Sequence, residues 1–223
     1  MAKKQLSPQE WRGKYPVHPE YEHLLMLGAS FMEYEKDASR FRSLVLAYPL
    51  DEIGDSYYGS VRFHYDQWGI YNPSDLEHTV VDLIRDSRTP EVDRRKLKKA
   101  QQKVEKAFMK ATHGISIAGA DFSGQRIRSI QDIGAHYLEF AAYLARGQMQ
   151  LSWGSEQHAI GLLQEILPEV RQRFMTWSDY IISVQLGSRC TNMDVRISFG
   201  AERAPEYVYL LGPDGYYGKY PLQ

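Results

Sequence analysis

Apolar side chains recur at intervals of three and four residues through much of this chain, the interval that places them on one face of an α-helix. In RFMTWSDYIISVQLGSRC, residues 173–190, this stripe consists of Phe174, Trp177, Ile181 and Val184. A single helix cannot cover its own apolar stripe, so helices of this kind have to pack against one another. The pattern therefore predicts a mainly α fold, a multi-helix globular bundle in which Trp177 is buried.

Polar and helix-breaking residues predict where the last helices begin and end. Thr176 and Asp179 have the spacing of a capping box, in which each side chain accepts a hydrogen bond from a backbone N–H in the first turn. We expect Gly187 to end this helix and Pro168 to interrupt the helix before it.

The regularity of the pattern divides the chain into three regions. Residues 1–18 lack periodicity and are expected to form an extended arm, and residues 19–190 form the helical domain. Residues 191–223 are predicted to be a β-rich extension packed on the same domain. Within it VRISF (195–199) and EYVYLL (206–211) are β-branched and aromatic, and GPDG is a turn signal, so a small C-terminal β-hairpin is expected.

Composition excludes several classes of protein. The 27 Lys and Arg residues nearly balance the 28 Asp and Glu residues, so overall charge favours neither a nucleic-acid nor an acidic partner. Cys190 is the only cysteine, which rules out an intramolecular disulfide and a cysteine-based zinc site. No apolar signal region follows the N-terminal lysines and no run is long enough to span a bilayer, so we expect a cytoplasmic protein without a membrane partner.

Three segments resemble a known family. They are HLLMLGASFMEYEKD (23–37), QWGIYNPSDLEHTVVDLIRD (67–86) and the run ending in FMTWSDYIISVQLGSR (174–189). In that order they resemble the bacterial domain-of-unknown-function family 1266, the YbeU-like proteins, over roughly residues 20–190. The resemblance implies a helical fold and a bacterial source, and it implies no activity.

One departure from the family pattern concerns the helix before the Leu-Ala-Arg segment. The family tends to carry Trp-Asp-x-x-Arg there, whereas this chain has His136, Tyr137 and Phe140 in those places. If the family's Asp and Arg share a role, this chain lacks it.

A predicted helix at 90–112 carries the strongest charge feature. Eight Lys and Arg residues against three Asp and Glu residues give it a net charge of +5. Five of the lysines form one stripe, about 100° around the helix from the apolar side chains: Lys96, Lys99, Lys103, Lys106 and Lys110. A stripe of this kind can be a solvated face, meet an acidic protein, or follow phosphates. No aromatic side chains for base stacking are interleaved with it, so nucleic acid is the less favoured partner.

Candidate catalytic residues are few. His136 and Glu139 lie one helical turn apart, beside Asp132, and can be a base with an orienting acid or a hydrogen-bonded histidine of the core. Glu20 with His23, and Asp75 with His78, have a spacing found in bundle metal sites, but no bridging glutamates can be assigned, so no metal is expected. Neither a dinucleotide nor a phosphate-loop fingerprint is present, and no cofactor is predicted.

The sixteen tyrosines favour protein contacts, because tyrosine combines an apolar ring with a polar tip. Tyr57, Tyr58 and Tyr71 are the candidates near the middle of the chain. The leading hypothesis is a non-enzymatic protein-binding module of a bacterial cytoplasm, with an immunity protein that neutralises an antibacterial toxin as its specific form. The alternatives are a small helical hydrolase, acid–base or metal-assisted, around His136 and Glu139, and a nucleic-acid-binding protein that uses the 94–110 lysine stripe.

Overall fold

The computed structural model describes residues 10, 13–14, 16–32, 62, 65–113, 117, 119–151, 153–191, 204–212 and 216–223. Its helices are numbered here in chain order along these residues. A 3₁₀ helix, Pro19–Met26, comes first, and a short one, Gln148–Leu151, follows the fifth α-helix. The α-helices are α1 (Ala29–Met32), α2 (Pro73–Arg88), α3 (Arg94–Thr112), α4 (Gly124–Ser129), α5 (Ala135–Gly147), α6 (Glu156–Arg173), α7 (Trp177–Cys190), α8 (Ala204–Leu211) and α9 (Tyr216–Lys219).

Helix α5 lies at the centre of the bundle. Every residue of it except Tyr137 is buried, and α1, α2, α6 and α7 pack around it. A helix that is buried on all sides needs neighbours on all sides. Helix α3 lies further out, where it contacts α4, α7 and α8. The mainly α prediction is confirmed for the part of the chain described here.

The predicted C-terminal hairpin is wrong for EYVYLL, the predicted strand that the structure describes. EYVYLL lies within α8, whose buried residues Ala204, Tyr207, Leu210 and Leu211 have helical spacing. Strand propensity depends on packing partners, and here the partner is the side of α3 rather than a second strand. The other predicted strand, VRISF, lies outside the described residues.

Two predicted helix boundaries are also wrong. Helix α6 continues through Pro168 to Arg173. Pro168 has no N–H to donate to the carbonyl of Gln164, four residues earlier. Both residues are exposed, so water can donate to that carbonyl instead. Helix α7 continues past Gly187 to Cys190. A side chain at Gly187 would place its Cβ 2.5 Å from the Cβ of His136. Gly187 is therefore a close-packing position between α5 and α7.

The start of α7 agrees with the prediction in part. The Thr176 hydroxyl accepts the backbone N–H of Asp179 at 3.2 Å, as expected of a capping residue. The Asp179 carboxylate, however, binds the guanidinium of Arg126 through two hydrogen bonds of 2.7 and 2.6 Å. The second half of the predicted capping box is thus replaced by an ion pair between α4 and α7.

No helix among the described residues combines the length and the apolar character needed to cross a membrane.

Trp177 is a core residue with a specific polar partner. It is 4% exposed, its ring stacks on Tyr217 with centroids 4.7 Å apart, and its indole N–H donates to the carbonyl of Tyr220 at 2.7 Å. The side chain therefore joins α7 to the C-terminal segment.

We predict that Trp177→Ala lowers the free energy of unfolding by about 3–5 kcal/mol, because it opens a cavity and removes a buried hydrogen bond. Denaturant melts of the full chain measure this loss. Met175→Ala is the control, because Met175 lies two residues away and is 71% exposed; it should cost less than about 0.5 kcal/mol. A loss below about 1 kcal/mol for Trp177→Ala would contradict its role in the core.

Candidate functional site

The predicted lysine stripe forms an exposed face of α3. The apolar side of this helix, including Leu97, Val104 and Phe108, is buried. Asp93 caps its N-terminus and accepts the backbone N–H groups of Arg95 and Lys96, so the helix begins at Arg94 rather than at 90. All five stripe lysines are exposed. From Lys96 to Lys110 they extend about 21 Å along the helix. We call these five residues the basic face.

Most of this basic face is not neutralised. Lys99, Lys103, Lys106 and Lys110 make no ion pair with a described residue. Elsewhere in the bundle the pattern is different, because several arginines are each bound to a carboxylate: Arg88 to Glu169, Arg126 to Asp179, Arg128 to Glu105 and Arg173 to Asp132. The positive charge of α3 is thus available to another molecule.

An apolar side chain lies next to the basic face. Met109 is 64% exposed, and its helical position is about 60° around α3 from Lys106. On its other side Met109 borders an open cleft of about 290 Å³ between α3 and the segment that leads to α4. Phe108 and Phe122 stack in this cleft with centroids 4.0 Å apart. The basic face is therefore bordered on this side by an exposed thioether and a shallow cleft with apolar lining.

The predicted acid–base residues have separate structural partners. Asp132 accepts the backbone N–H of Gly134 at 2.8 Å and two hydrogen bonds from Arg173, of 2.9 and 2.6 Å. His136 is 2% exposed and its ring lies against Phe31. The carboxylate of Asp132 is therefore engaged with α6 and the start of α5, and a catalytic role for His136, Glu139 and Asp132 stays a prediction.

Glu139 is buried and holds the N-terminal segment of the fold. Its Oε1 accepts the backbone N–H and the hydroxyl of Ser30 at 2.9 and 2.6 Å, and its Oε2 accepts the N–H of Gly28 at 2.9 Å and the hydroxyl of Tyr180 at 2.7 Å. Burial, and then the neighbouring Glu139 charge, raise the pKa of Tyr180 well above its ordinary value. Tyr180 therefore stays protonated, and its hydroxyl donates a hydrogen bond to Glu139. The two carboxylate oxygens of Glu139 accept four hydrogen bonds in total.

Arg146 holds the same N-terminal segment two turns further along α5. It is fully buried, and its Nη1 donates to the carbonyls of Leu25 and Leu27 at 3.1 and 2.9 Å. Gly28 follows with φ of +71°, and a Cβ there would lie 2.8 Å from the backbone nitrogen of Tyr143. Only glycine fits this turn, because the backbones of the segment and α5 are in contact. The sequence analysis did not predict this contact. The signal that could have indicated it is the presence of Glu139 and Arg146 in a largely apolar helix.

A second open cleft, of about 260 Å³, is lined by Tyr137, Cys190, Asp86 and Glu91 among others. Burial raises the pKa of Tyr137, and Asp86 and Glu91 raise it further. Burial also raises the pKa of the Cys190 thiol. Both groups stay protonated at neutral pH, so neither has the lowered pKa of an activated nucleophile.

The remaining candidates are dispersed. Tyr71 is 61% exposed, while Tyr57 and Tyr58 lie outside the described residues. Asp75 accepts the backbone N–H of Tyr71 and the side-chain amide of Asn72, so it serves the start of α2 rather than His78. Within the described ranges no three His, Cys, Asp or Glu side chains are grouped so as to hold a metal ion.

The Glu139 contacts generate a stability prediction. Glu139→Gln keeps the shape but removes the charge and turns one oxygen into a donor that faces other donors. We expect a loss of about 3 kcal/mol in the free energy of unfolding, since buried donors are left unsatisfied. Denaturant melts measure it, with the exposed Glu165→Gln on α6 as control. A loss below about 1 kcal/mol would show that the carboxylate is not what fixes the segment.

A known protein family matches the central part of the chain. A family model described as "Protein of unknown function (DUF1266)" matches residues 65–197. No curated protein and no solved structure matches the chain. The matched range contains α2 to α7, and so includes the basic face, the central helix and the whole of α7. Because this range is more than half of the chain, the protein belongs to the DUF1266 family.

Proposed function

We propose that this chain is a non-enzymatic protein-binding module of the bacterial cytoplasm, and that it binds an acidic protein partner through the basic face of α3. The observation that carries the proposal is the set of exposed lysines, Lys99, Lys103, Lys106 and Lys110, without ion pairs among the described residues. The exposed Met109 beside them supplies an apolar contact that a phosphate backbone would not use.

Screening makes the local charge more important than the net charge. The whole chain has a formal charge of −1, which gives a partner no long-range attraction. At physiological ionic strength, however, charges are screened beyond about 8 Å. A partner that approaches α3 therefore meets the positive charge of this helix, and opposite charge on the partner accelerates the encounter.

The state of the candidate catalytic groups supports a non-enzymatic role. Asp132 and Glu139, the two carboxylates of the hydrolase alternative, are engaged by Arg173 and by the donors around Gly28 and Ser30. A general base needs a lone pair directed at a substrate proton. In this arrangement the carboxylates hold the fold together, which favours binding over catalysis.

The specific form of the proposal is an immunity protein that captures an antibacterial toxin. Such a protein has to bind before the toxin acts, and a steering charge on one exposed face raises the association rate. The toxin would present an acidic surface to α3. A photo-reactive amino acid at Gln102 identifies the partner by cross-linking in cells, because Gln102 is exposed between the basic face and Met109. The same amino acid at exposed Gln164 on α6 is the control.

With the cross-linked partner purified, we predict that the double change Lys103→Glu and Lys106→Glu lowers its association rate constant at least tenfold at low salt, and that the difference shrinks at high salt. Stopped-flow or surface-based kinetics measure this. The matched control is Arg94→Glu with Lys98→Glu, which changes the net charge equally on another side of the same helix. Equal effects of the two double variants, or cross-links from Gln164 rather than Gln102, would contradict the proposal.

A second prediction separates protein from nucleic-acid binding. At about 150 mM salt we expect no binding of a random RNA or DNA duplex at micromolar concentrations, because five lysines release only a few counterions and no aromatic rings accompany them. Fluorescence anisotropy of a labelled duplex measures this. Micromolar or tighter binding that is lost when Lys99, Lys103 and Lys106 are changed to Glu would assign the basic face to nucleic acid instead.

A further inference from the structure

One side of α7 carries buried N–H donors that have no acceptor. They are Nε2 of Gln185 and both Nε and Nη2 of Arg189, and no described residue accepts a hydrogen bond from them. The two residues are four apart in a continuous helix, so their side chains lie on the same face, one turn from each other. Gln185 is only 1% exposed. All three atoms are buried donors on this side of α7.

Other arginines in the same structure show what this edge of a guanidinium binds. Nε and Nη2 form one side of the group and together match the two oxygens of a carboxylate. Arg126 binds Asp179 through these two atoms at 2.7 and 2.6 Å. Arg173 binds Asp132 through the same two atoms, and Arg88 binds Glu169 in this way. Arg189 presents the same edge, buried, without a carboxylate.

The charge on Arg189 makes the missing partner significant. Burial lowers the pKa of Arg189, but a guanidinium stays charged at neutral pH. Arg189 is partly withdrawn from water, and a charge withdrawn from water without a partner is costly, so this arrangement favours a counter-charge from another molecule. The C-terminal end of α7 favours a cation there, yet none of its carbonyls accepts from this edge.

We propose that Arg189 and Gln185 form a binding site for an oxyanion, a carboxylate or a phosphate group. Two of its oxygens would accept from Nε and Nη2 of Arg189, and the amide of Gln185 would donate a further hydrogen bond. Arg189 lies in the last turn of α7 and is partly exposed; because Nε and Nη2 are themselves closed to solvent, binding requires the side chains that cover this edge to move aside. This proposal does not depend on the function proposed for the basic face.

Isothermal titration calorimetry of the full chain with sodium succinate and, separately, with sodium phosphate tests the site at constant ionic strength. We expect saturable binding of at least one of the two anions at one site per chain, and the anion bound more tightly identifies the ligand class. Arg189→Met and Arg189→Lys should weaken binding at least tenfold; the lysine variant keeps the charge but lacks the two-atom edge. Gln185→Glu should weaken it similarly, because it places a carboxylate of the chain next to Arg189.

Two control variants separate this site from general effects of charge. Arg94→Met removes an exposed arginine of α3 and should leave anion binding unchanged. Arg126→Met removes a paired arginine and should lower the melting temperature, because it leaves Asp179, which is 3% exposed, without its partner. Arg189→Met in anion-free buffer should not lower it, because the arginine that it removes has no partner to leave behind.

Three results would overturn the proposal. They are no saturable binding of either anion by the unmodified chain, binding by Arg189→Met and Arg189→Lys equal to that of the unmodified chain, and a fall in melting temperature for Arg189→Met as large as that for Arg126→Met. The last result would mean that Arg189 already has a partner within the chain. Because the unmodified chain and the lysine variant are tested independently, the outcome does not depend on the folding of Arg189→Met.

Discussion

The docking of residues 25–30 on α5 is the contact on which the rest of the structure depends. Glu139 accepts the N–H groups of Gly28 and Ser30, and Arg146 donates to the carbonyls of Leu25 and Leu27. Two opposite charges on one helix thereby satisfy donors and acceptors of a buried backbone segment that begins in the last turn of the 3₁₀ helix and continues beyond it. Buried backbone groups without partners would be costly, so this segment can be buried only because α5 brings both charges.

That arrangement determines which surfaces remain for binding. Helix α5 is covered by α1, α2, α6 and α7, and its charged side chains are used inside the fold. Helix α3 packs only through one side, on α4, α7 and α8, so its lysines face outward. The described ion pairs of Arg126 and Arg173 join neighbouring elements of the bundle, α4 to α7 and α6 to the start of α5. These two ion pairs therefore connect neighbouring elements, whereas Lys99, Lys103, Lys106 and Lys110 make no ion pair with a described residue.

Features with a short range in sequence could be predicted, and features that depend on distant contacts could not. The cap at Thr176, the burial of Trp177 and the exposure of the lysines follow from spacing within one helix. The helix at 204–211 has the residues of a strand and is determined by its packing on α3, which the local pattern does not contain. Gly187 is predicted to end a helix because glycine commonly does so, whereas in the fold it lets His136 approach α7. The tertiary partner decides in both cases.

The same limit applies to the sites. A stripe of lysines at helical spacing can be read from one helix, but the partners of a carboxylate are known only from the fold, as with Asp132 and Arg173. Arg189 is the converse case, because one arginine in a sequence carries no signal until its neighbours are placed. Unlike Arg126, it has no acceptor among the described residues for its Nε and Nη2. Since a guanidinium edge is bound by a carboxylate elsewhere in the bundle, an unfilled buried edge is better explained by an external oxyanion than by packing alone.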